Sequence, residues 1–241
     1  SGPVIGMNAW AGDVLAGHYV IIPIRALYHG RPVQAALSLN TAVHPDHQGK
    51  GLFTKLAAQT YELARSQGCH HVIGVANANS TPGFLKKLEF ELIAPLDVKV
   101  MWGSPAADAD PPGGAVAWRR FWEPADLAWR VRNPTAHYVQ CTHRGTRQIL
   151  APTGRYGILS VLKLDPVAGA APLSLPAAPF GRFRLWMGLS RRTRFSALSA
   201  MRLPDRFRAS PLNLIIRHLE AAREPIRADA VEFETIDFDA Y

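Results

Sequence analysis

The stretch Val43-His-Pro-Asp-His-Gln-Gly-Lys-Gly-Leu-Phe53 holds the residue types and spacing best suited to chemistry. It lies between a β-rich run and a helical repeat, so a strand there ends in a Gly-rich turn that opens directly into a helix. Such a turn aims several unpaired backbone N–H groups and the positive end of the helix dipole at one spot, which suits a pyrophosphate. Gly49 and Gly51 put no Cβ between the backbone and a phosphate, and Lys50 adds a positive charge beside them. The spacing is neither Gly-x-x-x-x-Gly-Lys-Ser/Thr nor Gly-x-Gly-x-x-Gly, so the two commonest phosphate loops are excluded. Cys69, His70 and His71 are consecutive at the entry to a strand, where neighbouring side chains point to opposite faces, a poor arrangement for a shared ligand set. His137, Cys141 and His143 alternate along a strand without an evident fourth ligand, and no metal is expected.

The elements that must position this turn read as follows. Residues 4–10 and 14–26 are β-rich runs broken by Gly12-Asp13, and the turn His29-Gly30 precedes a third run at 33–43, a three-stranded meander. Residues 51–66 repeat helically through Leu52, Leu56, Leu63 and Ala64 and stop at Gly68. A short strand follows at 71–76, a short helix at 81–88 opened by Thr81-Pro82, and a strand at 91–102. This order describes an α/β layer. Residues 103–114 (GSPAADADPPGG) have almost nothing large and apolar to bury, so a linker is placed at 104–115 between a domain at 1–103 and a second at 116–241. The second reads as α+β, with a helix near 123–131, strands at 138–142, 147–151 and 157–164, a long Ala/Pro-rich loop at 167–179, and β-rich runs at 214–219 and 231–238.

Composition bounds the remaining classes. The chain has 241 residues, 48% hydrophobic and 19% charged, which excludes collagen, coiled coil and disorder. No apolar run approaches the roughly 20 residues needed to cross a bilayer, and no basic and apolar leader opens the chain, so a cytoplasmic protein is expected. The opening Ser1 leaves room for residues upstream. Two cysteines make no disulfide scaffold. The net charge of +8 is concentrated in residues 104–241, where nineteen basic side chains face thirteen acidic ones and eight arginines fall between Arg182 and Arg208. Such a field attracts anions: a phosphorylated cofactor, a nucleotide-sugar, an acidic carrier or nucleic acid. A plain solvated basic face accounts for it equally well.

A second motif follows the helix and strand: Asn77-Ala-Asn-Ser-Thr-Pro-Gly-Phe-Leu-Lys-Lys-Leu-Glu-Phe90. With it, residues 4–102 resemble the GNAT superfamily of acyl-CoA-dependent N-acyltransferases. Gln48-Gly-Lys-Gly51-Leu matches the family's Gln/Arg-x-x-Gly-x-Gly/Ala, with Phe53 in place of the last small residue. Asn77, Ser80, Phe84, Lys87 and Phe90 echo Asn-x-x-Ser-x-x-Phe-Tyr-x-Lys-x-Gly-Phe, with one extra residue before Phe84, Leu85 where Tyr is expected and Glu89 where Gly is. Residues 116–241 look like the second half of two-part members, a degenerate further copy without a phosphate turn. The resemblance therefore implies a GNAT-like mixed sheet flanked by helices plus a second α+β GNAT-like half, and one acyl-CoA site, in the first half.

For the site, the resemblance implies cofactor contacts from Val43, Gln48, Gly49, Lys50, Gly51, Leu52, Phe53, Asn77, Phe84 and Lys87. The thioester of acetyl-CoA or another acyl-CoA would lie where the strand ending at Val43 parts from the strand 71–76, with a main-chain N–H near Val43 for the oxyanion. A small amine is the acceptor, an amino sugar or nucleotide-linked sugar of a surface polysaccharide. Base candidates are His18, His44 and, through a water, Asn40. Either histidine could equally be a partly buried residue bonded to the backbone. Leu85 leaves no family acid for the departing thiol. Asn77 either binds the pantetheine arm or closes its strand, Asn79 caps the helix beginning near Ser80, and Phe84 and Phe90 are core or cofactor-packing residues. A GNAT-like CoA-binding or regulatory module without chemistry, and a nucleic-acid binder using Arg182 to Arg208, stand as alternatives.

Overall fold

The structure, a computed structural model, describes residues 3–108, 115–168, 170–179, 183–196, 199–208, 210–220 and 224–238, with the side chains of Asn40 and Asp205 outside that description. It divides into two compact units, Ser1–Pro95 with Ser210–Ile226, and Leu96–Ala209 with Arg227–Tyr241.

The first unit opens with an antiparallel meander of β1 (Ile5–Ala11), β2 (Val14–Tyr28) and β3 (Arg31–Val43). Its second turn puts both His29 (φ 46°) and Gly30 (φ 78°) in the left-handed region, the geometry that matches the twist of a tight hairpin. Then come α1 (Leu52–Ser66), β4 (His71–Ala76), α2 (Thr81–Lys87) and β5 (Glu91–Pro95). β4 lies parallel to β3, with α1 as the crossover. Asn213–His218 returns from far along the chain and pairs antiparallel with both β4 and β5. The core holds Tyr19, Ile21, Leu56, Tyr61, Val72, Phe90 and Ile215. A Cβ on Gly17 would stand 2.9 Å from the side chains of Leu52 and Leu56, so the missing side chain lets the start of α1 sit directly on β2.

In the second unit, Val139–His143, Thr146–Pro152 and Ile158–Pro166 form an antiparallel meander. Ile158–Val161 then pairs parallel with Phe183–Trp186 of the strand Phe183–Leu189. That strand pairs antiparallel with Asp97–Trp102, and at its end with Val231–Glu234. A helix, Pro124–Arg130, completes the unit. No regular helix stands between the two parallel strands among the described residues.

The two units divide the chain differently from the sequence reading of 1–103, 104–115 and 116–241. The strand expected at 91–102 is two strands: Glu91–Pro95 pairs with Asn213–His218, while Asp97–Trp102 pairs with Phe183–Leu189. The run at 214–219 belongs to the first sheet, because Leu214, Ile215 and Ile216 are buried between β4 and β5. Within the expected linker, Ala106–Ala107 pairs with Thr193–Arg194, and residues 109–114 lie outside the described part. The run at 231–238 is a short strand and then a 3-10 turn, Thr235–Asp237. The Arg-rich stretch contains the central strand Phe183–Leu189, and five of its arginines are engaged within their own unit. Arg191 pairs with Asp229 and Arg194 with Asp108, Arg202 faces Asp97, and Arg192 and Arg208 donate to main-chain carbonyls. No helix among the described residues is long and apolar enough to cross a membrane.

Candidate acyl-CoA site

β3 and β4 are paired over three residues only, Ala35, Ala36 and Leu37 against His71, Val72 and Ile73. Beyond them the strands part, leaving 38–43 and 74–76 unpaired with each other. The divergence has a local cause. Tyr19 faces Thr41 while Ile21 faces Ser38, so β3 carries one residue more than β2 between those points. Such a bulge bends its strand. At the fork itself stand Ser38 and Gly74, where a Cβ on Gly74 would lie 3.2 Å from Ser38 Cβ.

From the end of β3 the chain makes a 3-10 turn, Pro45–His47, and enters α1 through Gly49 (φ 74°) and Gly51 (φ 72°). Both backbones are left-handed, which excludes most side chains, and a Cβ on either would meet no atom within 4 Å. The glycines are thus required by conformation, and the turn is left unobstructed. The first N–H groups of α1 have no partner within the helix, and the first helical bond runs from Lys55 N–H to the Gly51 carbonyl at 3.1 Å. Gln48 Nε2 donates to the Val43 carbonyl at 3.2 Å, and Lys50 Nζ to the Asp46 carbonyl at 2.9 Å, so both side chains shape the turn. Leu52 and Phe53 are half-buried and pack on the core.

Phe53, where the motif has a small residue, packs edge-on against Phe84 with ring centroids 5.8 Å apart, bringing the first turn of α1 against α2. Phe84 in turn meets Phe90 at 5.1 Å. Asn79 does not cap α2, whose N-cap is Ser80 without a side-chain cap bond; Asn77 instead closes the loop before the helix, its Oδ1 accepting from the N–H of Asn79 (3.0 Å) and of Ser80 (2.9 Å), while the Ser80 hydroxyl accepts from Asn77 N–H. The side-chain oxygen of Asn77 is therefore committed to the loop. Lys87 is exposed in the last turn of α2, about 9 Å along the axis from the helix start at 1.5 Å per residue. Leu85 is half-buried against the core. Glu89, at the motif's Gly, has φ 54°, the left-handed backbone that explains why glycine is expected there. Arg217, from the returning strand, holds it: Nη2 lies 3.2 Å from the Glu89 carboxylate and Nη1 donates to the Leu88 carbonyl.

The three base candidates separate. His18 is half-buried and its Nδ1 lies 2.6 Å from Asn8 Oδ1 on the neighbouring strand, so Nδ1–H donates and Nε2 keeps its lone pair. His44 is exposed, and its Nδ1 accepts the Asp46 N–H at 3.3 Å, which uses that lone pair in the turn. The side chain of Asn40 lies outside the described residues.

Sequence reasoning missed a run of hydroxyls. Tyr61 on α1 lies 2.6 Å from Tyr19 on β2, oxygen to oxygen, and Tyr19 lies 2.9 Å from Ser38 Oγ at the fork. Both phenols are buried, and desolvation drives their pKa values upward, so they stay neutral. Cys69, His70 and His71 point apart: the Cys69 thiol accepts from Gln34 Nε2, His70 Nδ1 lies 3.1 Å from Glu220, and His71 is buried beside Tyr28 and His218. Among the described residues no group of three or more metal-ligating side chains is placed to hold an ion.

Residues 2–93 match the family model of the acetyltransferase (GNAT) domain. Residues 2–93 of the first unit thus form a GNAT-like domain. No curated protein matches the chain. In structure the chain is similar to a GCN5-related N-acetyltransferase from Kribbella flavida (13% identity, TM-score 0.58, 89% of this chain and 60% of that one). It is also similar to one from Anabaena variabilis (14%, 0.54, 88% and 62%) and to Eis1 from Mycobacterium abscessus (14%, 0.52, 88% and 64%). At these identities the likeness is one of fold, and the chain spans less than two thirds of each relative. The GNAT domain's own turn and fork are the features that fit an acyl-CoA: amides at the start of α1 for the diphosphate, and parted strand edges for the amide-bearing arm.

Proposed function

We propose that the GNAT domain binds an acyl-CoA and transfers its acyl group to an amine. The observation that carries this reading is the unobstructed turn at residues 48–53 leading to the fork between β3 and β4. The diphosphate would lie on the N–H groups from Gly49 to Phe53, with Lys50 able to swing from the Asp46 carbonyl to a phosphate. The pantetheine amides would bond the freed edges of 38–43 and 74–76, placing the thioester at the fork. The amine attacks the carbonyl carbon, forming the C–N bond while the C=O electron pair moves onto oxygen, held by a main-chain N–H of β3 at the fork rather than near Val43, which lies about 16 Å farther along the strand at about 3.3 Å per residue. Collapse breaks the C–S bond and the sulfur leaves as thiolate, which a reference thiol pKa near 8.5 permits without a tyrosine at position 85. His18, opposite Ala42 on β3, stands about 13 Å along the strand from Ser38, so a base role for it runs through a chain of waters and not through direct contact with the amine. Holding the reactants in register supplies several kcal/mol of barrier reduction, on the order of 7–11 in favourable cases.

The acceptor we propose is an amino sugar or nucleotide-linked sugar, for which the basic balance of residues 104–241 supplies the attraction. The second unit, on this reading, is a degenerate copy without an acyl-CoA site. Calorimetry with acetyl-CoA and CoA tests the proposal, and absence of binding at high micromolar ligand in a folded sample overturns it. Leu85 motivates a second reading, a CoA-binding module without chemistry. Binding without thiol release across a broad amine panel would favour it.

A further inference from the structure

The run Tyr61–Tyr19–Ser38 has a direction. Tyr61 OH is buried, and the hydroxyl of Tyr19 at 2.6 Å is the hydrogen-bond partner the structure gives it. Were Tyr19 to donate to Tyr61, the Tyr61 hydrogen would be left without an acceptor in the core, at a cost of about 1–3 kcal/mol. Tyr61 therefore donates to Tyr19, and Tyr19 donates to Ser38 Oγ. That leaves the Ser38 hydrogen for an acceptor elsewhere. Ser38 and Gly74 are the first residues past the last paired couple, Leu37 and Ile73, and Gly74 presents no side chain to fill the space. Ser38 is half-buried, so a ligand entering the fork can reach it.

We propose that Ser38 is a substrate-contacting hydroxyl that donates its hydrogen bond to the thioester carbonyl, with Tyr19 and Tyr61 as positioning residues that hold that hydrogen outward. The proposal rests on the acyl-CoA reading above and adds to it a side-chain donor, in a protein whose family tyrosine is replaced by Leu85. No proton is transferred by Ser38. Its hydrogen bond strengthens as the carbonyl oxygen gains charge during attack and relaxes when the C–S bond breaks and the thiolate departs. Neutral, buried phenols suit this task, because each must keep its proton to hold the direction.

The test uses the full chain and acetyl-CoA carrying carbon-13 at the thioester carbonyl. In the wild type the bound carbonyl band should fall below its position in free acetyl-CoA. In Ser38→Ala it should move back toward the free value, with the calorimetric Kd for acetyl-CoA within about threefold and kcat on a responsive amine lowered about 100-fold. Tyr19→Phe should shift the band part-way and lower kcat about tenfold, the loss of one hydrogen bond. The double variant should be no slower than Ser38→Ala, since Tyr19 acts through Ser38. An identical band in bound wild type and Ser38→Ala, or additive losses in the double variant, would overturn the role of Ser38 while leaving the acyl-CoA reading standing. If the wild type binds but no amine responds, the infrared band alone decides. A wild type that binds no acetyl-CoA removes the underlying reading and this one with it.

Discussion

Each unit contains a parallel pair of strands that starts together and then parts, and the two forks are treated in opposite ways. In the first unit, 38–43 and 74–76 separate around Ser38 and Gly74, beside an unobstructed glycine turn. In the second, the strands separate beyond Val161 and Trp186, and the chain's own C-terminal segment enters between them. Glu234 accepts the Leu164 N–H at 2.9 Å, Thr235 Oγ1 donates to the Met187 carbonyl at 2.9 Å, and Gly188 lies so close to the inserted strand that a Cβ would stand 2.3 Å from the Phe233 carbonyl oxygen. The insert carries charge inside. Lys163 Nζ lies 2.9 Å from Asp165 and 3.3 Å from Glu234, while Arg120 and Trp122 bond Asp237. A fork is thus a place where backbone groups must find partners, supplied in one unit by the protein and available in the other to a ligand.

The largest effect is expected from removing the insert's anchor. Glu234→Ala orphans the Leu164 N–H and takes one acid from Lys163, which retains Asp165. A loss of about 3 kcal/mol, the low end for a broken buried pair, should appear in urea unfolding, with no gain of CoA binding. Filling the other fork is next. Gly74→Val presses on Ser38 and should weaken acetyl-CoA binding about 100-fold, or about 2.8 kcal/mol by the tenfold-per-1.4 rule, with unchanged circular dichroism. Retained micromolar binding would place the arm elsewhere.

The two units should also answer pH in opposite senses. Burial, with smaller contributions from His218 and His70, holds His71 down to about 3. Its neutral form is the one the first unit accommodates, so the stability it supports is present above about 6.5 and lost as pH falls from there toward 3. Burial, opposed by Lys163 and aided by Asp237 and Asp165, pushes Glu234 up to about 7. The folded second unit therefore binds a proton more readily than the unfolded chain, and the corresponding stability is full below about 4.5 and lost as pH rises through 7. Hydrogen exchange read separately for the two units between pH 4 and pH 8 would reveal this crossing, and parallel trends would contradict it. The smallest effect expected is a gain. Glu89→Gly relieves a left-handed backbone and should raise the midpoint of the first unit by about 1 kcal/mol equivalent, since the lost Arg217 contact joins a carboxylate that is largely exposed.

The legible parts of the site are those written in neighbouring residues. Gly12-Asp13 and His29-Gly30 mark the hairpins, and Gln48 to Gly51 marks the turn, because conformation there is decided by one or two side chains. Asn77 and Asn79 both suit a cap, and only the fold shows that neither side chain caps α2 and that Asn77 closes the loop before it. The hydroxyl run was illegible for another reason: 19, 38 and 61 belong to three elements, and no spacing links them. Phe183–Leu189 escaped because its alternation is inverted at the start, with Arg184 buried and Phe183 exposed. The apolar run at 213–218 announced a buried strand but not its destination, which depends on the open edges of β4 and β5.

That destination has a consequence for how the protein is made. During synthesis, β4 and β5 leave the ribosome long before Asn213–His218, so their facing edges wait for a strand encoded more than a hundred residues later. Raw strand edges of this kind seek any partner at hand, including the same segment of another nascent chain. A gene cut after residue 103 would produce a polypeptide permanently in that condition, prone to precipitate, and adding back the distant segment as a separate peptide should restore its solubility.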